Sequence, residues 1–147
     1  MPPLPGFYKI LIIEDDRVSV MALQRALRKL AVRNDVHICH DGIDALSYLA
    51  TEKASGVPLC PHLVILDLNM PRMGGLEFLE AIRDDPLLVD LRVLISSGVE
   101  IPQRVEQANS PHVTGHLHKD RPYESLEQHF GAQKAVYQGS LQPEELR

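Results

Sequence analysis

Acidic side chains follow two short apolar runs of the sequence, at the points where these runs end. Glu14, Asp15 and Asp16 come directly after the first run, and Asp67 comes directly after the second. Carboxylates within about 4 to 6 Å of one another raise each other's pKa unless a cation compensates their charge. An open site of oxygen donors suits Mg²⁺ better than zinc. An aspartate in such a site could attack a phosphoryl group and carry it as an acyl phosphate, so these residues indicate magnesium-assisted phosphoryl transfer.

A hydroxyl and an ammonium group stand at the ends of two other strand-like segments. Ser96 ends an apolar run that begins at Val93, and Lys119 follows a segment that begins at Val113. Lys119 could supply a second positive charge, and the Ser96 hydroxyl could donate a hydrogen bond to a new phosphate. Each residue also has a simpler interpretation alone, because aspartates often cap helices and a lysine beside Asp120 often forms a solvated ion pair. Their shared position at strand ends favours one common site.

The elements that must position these residues alternate along the chain. Apolar runs without a polar face indicate strands that are covered on both sides. Amphipathic helical periodicity follows each of the first three strands, a short helical segment is expected at Gln103–Asn109, and a last helix contains Tyr123, Leu126 and Phe130. The expected strands are 10–13, 36–39, 63–66, 93–95 and 113–118.

This alternation predicts an α/β fold in which right-handed helical crossovers join parallel strands. Five such units predict a flavodoxin-like (βα)5 doubly wound parallel sheet with the strand order 2-1-3-4-5. In that order the carboxyl ends of the first and third strands lie side by side where the strand order reverses, and the fourth strand lies next to the third. The acids, the hydroxyl and the lysine are therefore expected to converge on one pocket.

The composition limits the class of protein. The chain has 147 residues, of which 44% are hydrophobic and 24% are charged, as in an ordinary globular domain. We expect a cytoplasmic protein without a membrane partner, because no apolar stretch suits a membrane span and the N-terminus lacks a signal-peptide pattern. A net charge of −5 and the short segment after the last helix argue against nucleic-acid binding. The two cysteines and seven histidines lack metal-ligand spacing, and the histidines are expected at the surface or half buried.

Two segments resemble the response regulator receiver family. Residues 10–16, with the sequence ILIIEDD, are similar to the first strand of the family and its acidic pair. Residues 63–76, with the sequence LVILDLNMPRMGGL, are similar to its phosphoacceptor segment. The similarity runs from about Tyr8 to Phe130. It implies a phosphoacceptor signalling domain rather than an enzyme, with a sensor histidine kinase as partner and with self-phosphorylation from small phosphodonors and slow autodephosphorylation.

The resemblance also implies roles in the metal-binding half of the site. Asp67 is then the phosphoacceptor. Asp15 and Asp67 bind Mg²⁺ directly, together with the main-chain carbonyl of Asn69, and Glu14 acts mainly through water. By this similarity the acidic pair is Glu14 and Asp15, and Asp16 occupies the next, more variable position.

The half of the site that would signal phosphorylation departs from the family at two positions. Ser96 matches the family hydroxyl that responds to phosphate, and phosphorylation is expected to draw Ser96 and Lys119 inward. Lys119 is followed by Asp120, whereas the family usually has proline after a cis peptide, so a trans peptide and a changed loop are expected here. His116 stands where the family usually has a tyrosine or phenylalanine that rotates inward, and it could rotate similarly.

The resemblance divides the chain into an N-terminal extension at 1–7, a receiver domain at 8–138 and a C-terminal tail at 139–147. The last helix has more apolar surface than one sheet face needs, which predicts a homodimer through this region. The loop before the third strand and the segment 83–92 are similar to the single-domain regulators that partner phytochromes. A bacteriophytochrome kinase is therefore the expected partner.

Two other classes of function remain open to test. A phosphatase of the haloacid-dehalogenase type also places a nucleophilic aspartate after a parallel strand, but it uses a second aspartate two residues later, where this chain has Asn69. A receiver with a damaged switch would act as a constitutive interaction domain. The three retained carboxylates argue against that class.

Overall fold

The computed structural model describes residues 7–30, 33–54, 63–68, 70, 72–88, 90–98 and 110–130. The strands are β1 (Phe7–Ile13), β2 (Arg33–Cys39), β3 (Leu63–Asp67), β4 (Arg92–Ser97) and β5 (Val113–His118). The helices are α1 (Arg17–Lys29), α2 (Gly42–Ala54), α3 (Gly75–Arg83) and α4 (122–130), with a 3₁₀ turn at Pro86–Leu88. The helical segment expected at Gln103–Asn109, most of the N-terminal extension and the C-terminal tail lie outside the described residues.

The strands form one parallel sheet in the order β2-β1-β3-β4-β5, which confirms the predicted topology. Strand β1 pairs with β2 on one side and with β3 on the other, so that Ile13 lies opposite both Cys39 and Leu66. Strand β4 pairs with β3 and brings Ser96 opposite Asp67. The carboxyl ends of β1, β3 and β4 therefore share one edge of the sheet.

The sheet has a hydrophobic cluster on each face. Leu11 and Ile13 of β1 belong to the cluster under α2 and α3, and Ile10 and Ile12 belong to the cluster under α1 and α4. All four side chains are fully buried. This explains why the run is continuously apolar, since a strand covered on both faces has no solvent-facing positions.

Helix α1 begins at an aspartate that binds the first turn. An oxygen of the Asp16 carboxylate accepts a hydrogen bond from the Val18 amide at 3.3 Å, and the other accepts one from the Ser19 hydroxyl at 2.8 Å. The hydrogen bond from Ser19 lowers the pKa of Asp16. Asp16 is therefore a helix cap, and the neighbouring Glu14 and Asp15 remain available for the site.

A buried histidine joins the end of α3 to the start of β4. The Nδ1 atom of His112 lies 2.9 Å from the Leu91 carbonyl oxygen, and its Nε2 atom lies 3.3 Å from the Ile82 carbonyl oxygen. The expectation that histidines lie at the surface or half buried is wrong for this residue, which is 3% exposed. The ring lies between two backbone carbonyl oxygens, so both of its buried nitrogen atoms have a polar atom within hydrogen-bond distance.

The first residue of α3 packs against the end of β3 so closely that only glycine fits. A Cβ atom on Gly75 would lie 2.7 Å from the Asp67 carbonyl oxygen and 2.8 Å from the Leu68 Cα atom. We expect Gly75→Ala to lower the free energy of unfolding by about 1 to 3 kcal/mol, because the new methyl group would force the backbone of Asp67 and Leu68 to shift. Urea denaturation measures this loss.

Gly98→Ala is the matched control, since a Cβ atom there has no atom within 4 Å. We expect its free energy of unfolding to stay within about 0.5 kcal/mol of the wild type. Equal losses in the two variants would show that the contact between Gly75 and Asp67 has no energetic consequence.

Candidate functional site

Three carboxylates meet at the edge of the sheet where β1 and β3 end. One oxygen atom each of Glu14, Asp15 and Asp67 lies within 4.8 Å of the others. Glu14 and Asp67 are buried, whereas Asp15 is exposed to solvent. The parallel register of β1 and β3 causes this convergence, as the strand order predicts. Among the described residues, this is the one group of acids, histidines and cysteines with the spacing of a metal site.

The side chain of Lys119 reaches into this acidic cluster from the end of β5. Its Nζ atom lies 3.1 Å from an oxygen of Asp67 and 3.3 Å from an oxygen of Glu14. Its backbone amide donates a hydrogen bond to the Ser97 carbonyl at 3.0 Å, which fixes the start of the loop. Burial lowers the pKa of Lys119, but the two carboxylates outweigh burial and hold the pKa above its ordinary value. The lysine is therefore a charged partner of the acids, although Asp120 follows it.

The electrostatics of Glu14 indicate a deficit of positive charge in the cluster. Burial and the neighbouring Asp67 raise the pKa of Glu14 to about 7, against a hydrogen bond from the Asp16 amide and the charge of Lys119. One oxygen accepts that amide at 3.1 Å. The other, Oε2, is buried, accepts no hydrogen bond and lies 3.3 Å from the Lys119 ammonium.

These residues fit a hard divalent cation. An oxygen donor without a hydrogen-bond partner, a second buried carboxylate and an exposed third one supply the ligand type that Mg²⁺ and Mn²⁺ prefer. A cation would also compensate the repulsion from Asp67, which adds to the effect of burial in raising the pKa of Glu14. The exposed Asp15 leaves the cluster open to solvent, where a metal could keep several waters.

The other predicted site residues lie at different distances from this cluster. Ser96 is buried next to Asp67 in the sheet, and it lines a small gap together with Lys119. His116 is exposed on β5 opposite Ile95, so its side chain is not part of the acidic cluster. Asn69 lies outside the described residues. The structure thus brings Ser96 and Lys119 to Asp67, while the role of His116 as a switch stays a prediction.

An ion-pair link between the loops that follow β2 and β3 was not predicted from the sequence. Arg72, in the loop after Asp67, has a positive φ of 61°. Its guanidinium donates hydrogen bonds to the carboxylates of Asp41 and Asp44 at the start of α2. An aspartate before a helix is a recognisable cap signal, but nothing in its sequence neighbourhood indicates an arginine partner 31 residues away.

The chain matches the model of the response regulator receiver domain family over residues 10–130. The probable methanogenesis regulatory protein FilR2 of Methanothrix harundinacea is 31% identical over 117 residues, which are 80% of this chain and 75% of FilR2. The response regulator Rcp1 of Synechocystis is 27% identical over 117 residues, which are 80% of each chain.

Solved structures of response regulators share the fold of this chain. The crystal structure of the phosphorylated cyanobacterial phytochrome response regulator RcpA is 26% identical, with a TM-score of 0.70, and the match covers 92% of this chain and 97% of RcpA. The Mn²⁺-bound form of Rcp1 superposes with a TM-score of 0.69 at 23% identity, covering 82% of this chain and 92% of Rcp1. No described helix has the length and apolarity that crossing a membrane requires.

Proposed function

The chain belongs to the response regulator receiver domain family, and we propose that it accepts a phosphoryl group on Asp67 from a sensor histidine kinase. The observation that carries this proposal is the meeting of Glu14, Asp15 and Asp67 within 4.8 Å, with the Lys119 ammonium 3.1 Å from Asp67. A nucleophilic carboxylate beside a cation site and a fixed positive charge is the arrangement that phosphoryl transfer needs.

In the proposed reaction, an oxygen of Asp67 forms a bond to phosphorus while the bond from phosphorus to the imidazole nitrogen of the donor histidine breaks. The imidazole leaves with the electron pair of that bond, and Asp67 becomes an acyl phosphate. Asp15, Asp67 and the Asn69 carbonyl would hold Mg²⁺ directly, and Glu14 would hold it through water. When bound, the ion would compensate the negative charge of the transferring oxygens.

The residues of this chain then respond to the new phosphate. The Lys119 ammonium, already 3.1 Å from Asp67, pairs with a phosphate oxygen, and the adjacent Ser96 hydroxyl donates a hydrogen bond to another. Their inward movement changes the surface that β5 and α4 form, with His116 on that surface. This is a local charge event that shifts a two-state element.

The similar proteins and the net charge of the chain support a proposal about its partners. RcpA is a cyanobacterial phytochrome response regulator, and two other similar structures are bacteriophytochrome response regulators, so we propose that a bacteriophytochrome is the kinase. The net charge of −5 favours output through protein contacts rather than DNA.

We further propose that the receiver domain spans 8–138, works in the cytoplasm, and forms a homodimer through α4 and the residues after it. Light scattering at increasing protein concentration tests the dimer, and a constant monomer mass would contradict it.

The experiment that tests the function is phosphoryl uptake by the wild-type protein. We expect incubation with acetyl phosphate and Mg²⁺ to add the mass of one phosphoryl group to the intact protein. Excess EDTA should prevent the addition, and neutral hydroxylamine should remove it, because hydroxylamine cleaves acyl phosphates. An unchanged mass, together with no response to beryllofluoride, would favour the constitutive interaction domain. Sustained hydrolysis of phosphomonoesters would favour the phosphatase.

A further inference from the structure

The loop that leaves Asp67 is attached to the start of α2 by an arginine. Resting on the function proposed above, we infer that Arg72 is a positioning residue of the phosphoacceptor site, and that its ion pairs with Asp41 and Asp44 hold this loop in the conformation that metal binding requires. Arg72 touches neither the acids of the site nor a substrate in this role. It acts through the backbone that continues from Asp67.

The backbone of Arg72 adopts a left-handed conformation that needs other interactions to stabilise it. A φ of 61° lies in the left-handed region, which is unfavourable for residues with a Cβ atom and which glycine adopts freely. The side chain is about half exposed, so burial of the side chain does not impose this conformation. The contacts of the guanidinium group can compensate for it, together with the backbone hydrogen bonds of the loop.

Asp41 is well placed to provide that compensation. Its side chain is buried, and one oxygen accepts the Asp44 amide at 2.9 Å while the other accepts Nε–H of Arg72. The hydrogen bond from Arg72 holds the pKa of Asp41 below its ordinary value. A second guanidinium nitrogen of Arg72 lies 3.1 Å from Asp44. One carboxylate therefore both caps α2 and anchors the loop that follows β3.

Backbone contacts on either side of Arg72 transmit this anchoring to the site. The Gly42 amide donates a hydrogen bond to the Met73 carbonyl at 3.1 Å, directly after Arg72. The Gly75 amide donates one to the Leu68 carbonyl at 3.2 Å, which closes the loop next to Asp67. A shift at Arg72 would therefore move the residues that adjoin the phosphoacceptor.

Two variants each remove one partner of the ion pair between Arg72 and Asp41. Both allow the backbone conformation and the backbone hydrogen bonds of the region to remain. Arg72→Gly removes the guanidinium and permits the positive φ. Asp41→Asn removes the negative charge but keeps an oxygen that can accept the Asp44 amide. Arg83→Gln is the control, because it removes the same positive charge from an exposed arginine at the end of α3.

The affinity for Mn²⁺, measured by calorimetry on the full chain, distinguishes a positioning role of Arg72 from a purely electrostatic effect of its charge. If charge alone acted, loss of Arg72 would tighten metal binding and loss of the Asp41 charge would weaken it. A positioning role predicts that both variants bind Mn²⁺ more weakly, by about 10-fold, as when a group that orients metal ligands is lost. The double variant should be no weaker than the weaker single variant, since both remove one contact.

The rate of phosphoryl uptake from acetyl phosphate should fall with the metal affinity in both variants and stay unchanged in Arg83→Gln. Thermal unfolding followed by circular dichroism establishes that the variants are folded. Wild-type metal affinity retained in Arg72→Gly, or additive losses in the double variant, would overturn the inference. Failure of the wild type to take up phosphate would instead contradict the proposed function, and the Mn²⁺ affinities would still decide the role of Arg72.

Discussion

Asp67→Asn is expected to abolish phosphoryl uptake from acetyl phosphate. The amide of asparagine offers no anionic oxygen to attack phosphorus, and no acyl phosphate can form on it. The variant should fold, because Lys119 keeps Glu14 as a partner at 3.3 Å and the repulsion between Asp67 and Glu14 disappears. Intact mass after incubation with Mg²⁺ and acetyl phosphate measures the loss directly.

Asp16→Asn is the matched control for this prediction. Asp16 lies beside the acidic pair in the sequence, but its carboxylate caps α1, and asparagine caps helices as well as aspartate does. We expect this variant to take up phosphate at the wild-type rate. Uptake that survives in Asp67→Asn, for example on Asp15, would show that the phosphoacceptor has been assigned to the wrong carboxylate.

Lys119→Met is expected to slow phosphoryl uptake by about 100- to 1,000-fold, the usual effect of removing one group that stabilises developing charge. The same variant should bind Mg²⁺ more tightly. The ammonium group lies 3.1 Å from Asp67 and 3.3 Å from Glu14, so it compensates the same negative charge that a metal would. Without it the carboxylates attract a cation more strongly, while the transferring phosphoryl group loses a positive charge.

These opposite changes distinguish a catalytic lysine from a structural one. Lys29→Met serves as the control, because Lys29 lies over the Tyr123 ring, 4.5 Å from its centroid, and its loss changes the net charge equally. We expect it to leave both the uptake rate and the metal affinity at wild-type values. Weaker Mg²⁺ binding in Lys119→Met would contradict the prediction, since the lysine would then be holding the carboxylates in place rather than competing with the metal.

The fold could be predicted from the sequence because the residue types of the strands indicate whether each position is buried or exposed. Ile10–Ile13 predicts a strand covered on both faces, and all four side chains are fully buried, with two in each cluster. Alternation with amphipathic helices then predicts parallel strands, because a crossover helix returns the chain to the same end of the sheet. The order β2-β1-β3-β4-β5 confirms this.

The acidic cluster could be predicted for a related reason. Carboxyl ends of neighbouring parallel strands share one edge of a sheet, so Glu14, Asp15 and Asp67 converge once the strand order is known. Which of the adjacent acids belongs to the site was less evident from residue type alone. The structure assigns Asp16 to the cap of α1, because its carboxylate points back to the first amides of the helix.

The sequence by itself therefore determined the elements of this protein and the acids at the strand ends, because burial and strand ends are properties of local residue patterns. It suggested the strand order, which depends on how distant strands pair, and the structure confirmed it. Only the tertiary structure decided which loops touch. It brought Lys119 to the carboxylates in spite of Asp120, buried His112 between two backbone carbonyls, and joined Arg72 to Asp41. Such contacts depend on how distant segments pack, and arginine has no preference for the positive φ that this packing imposes.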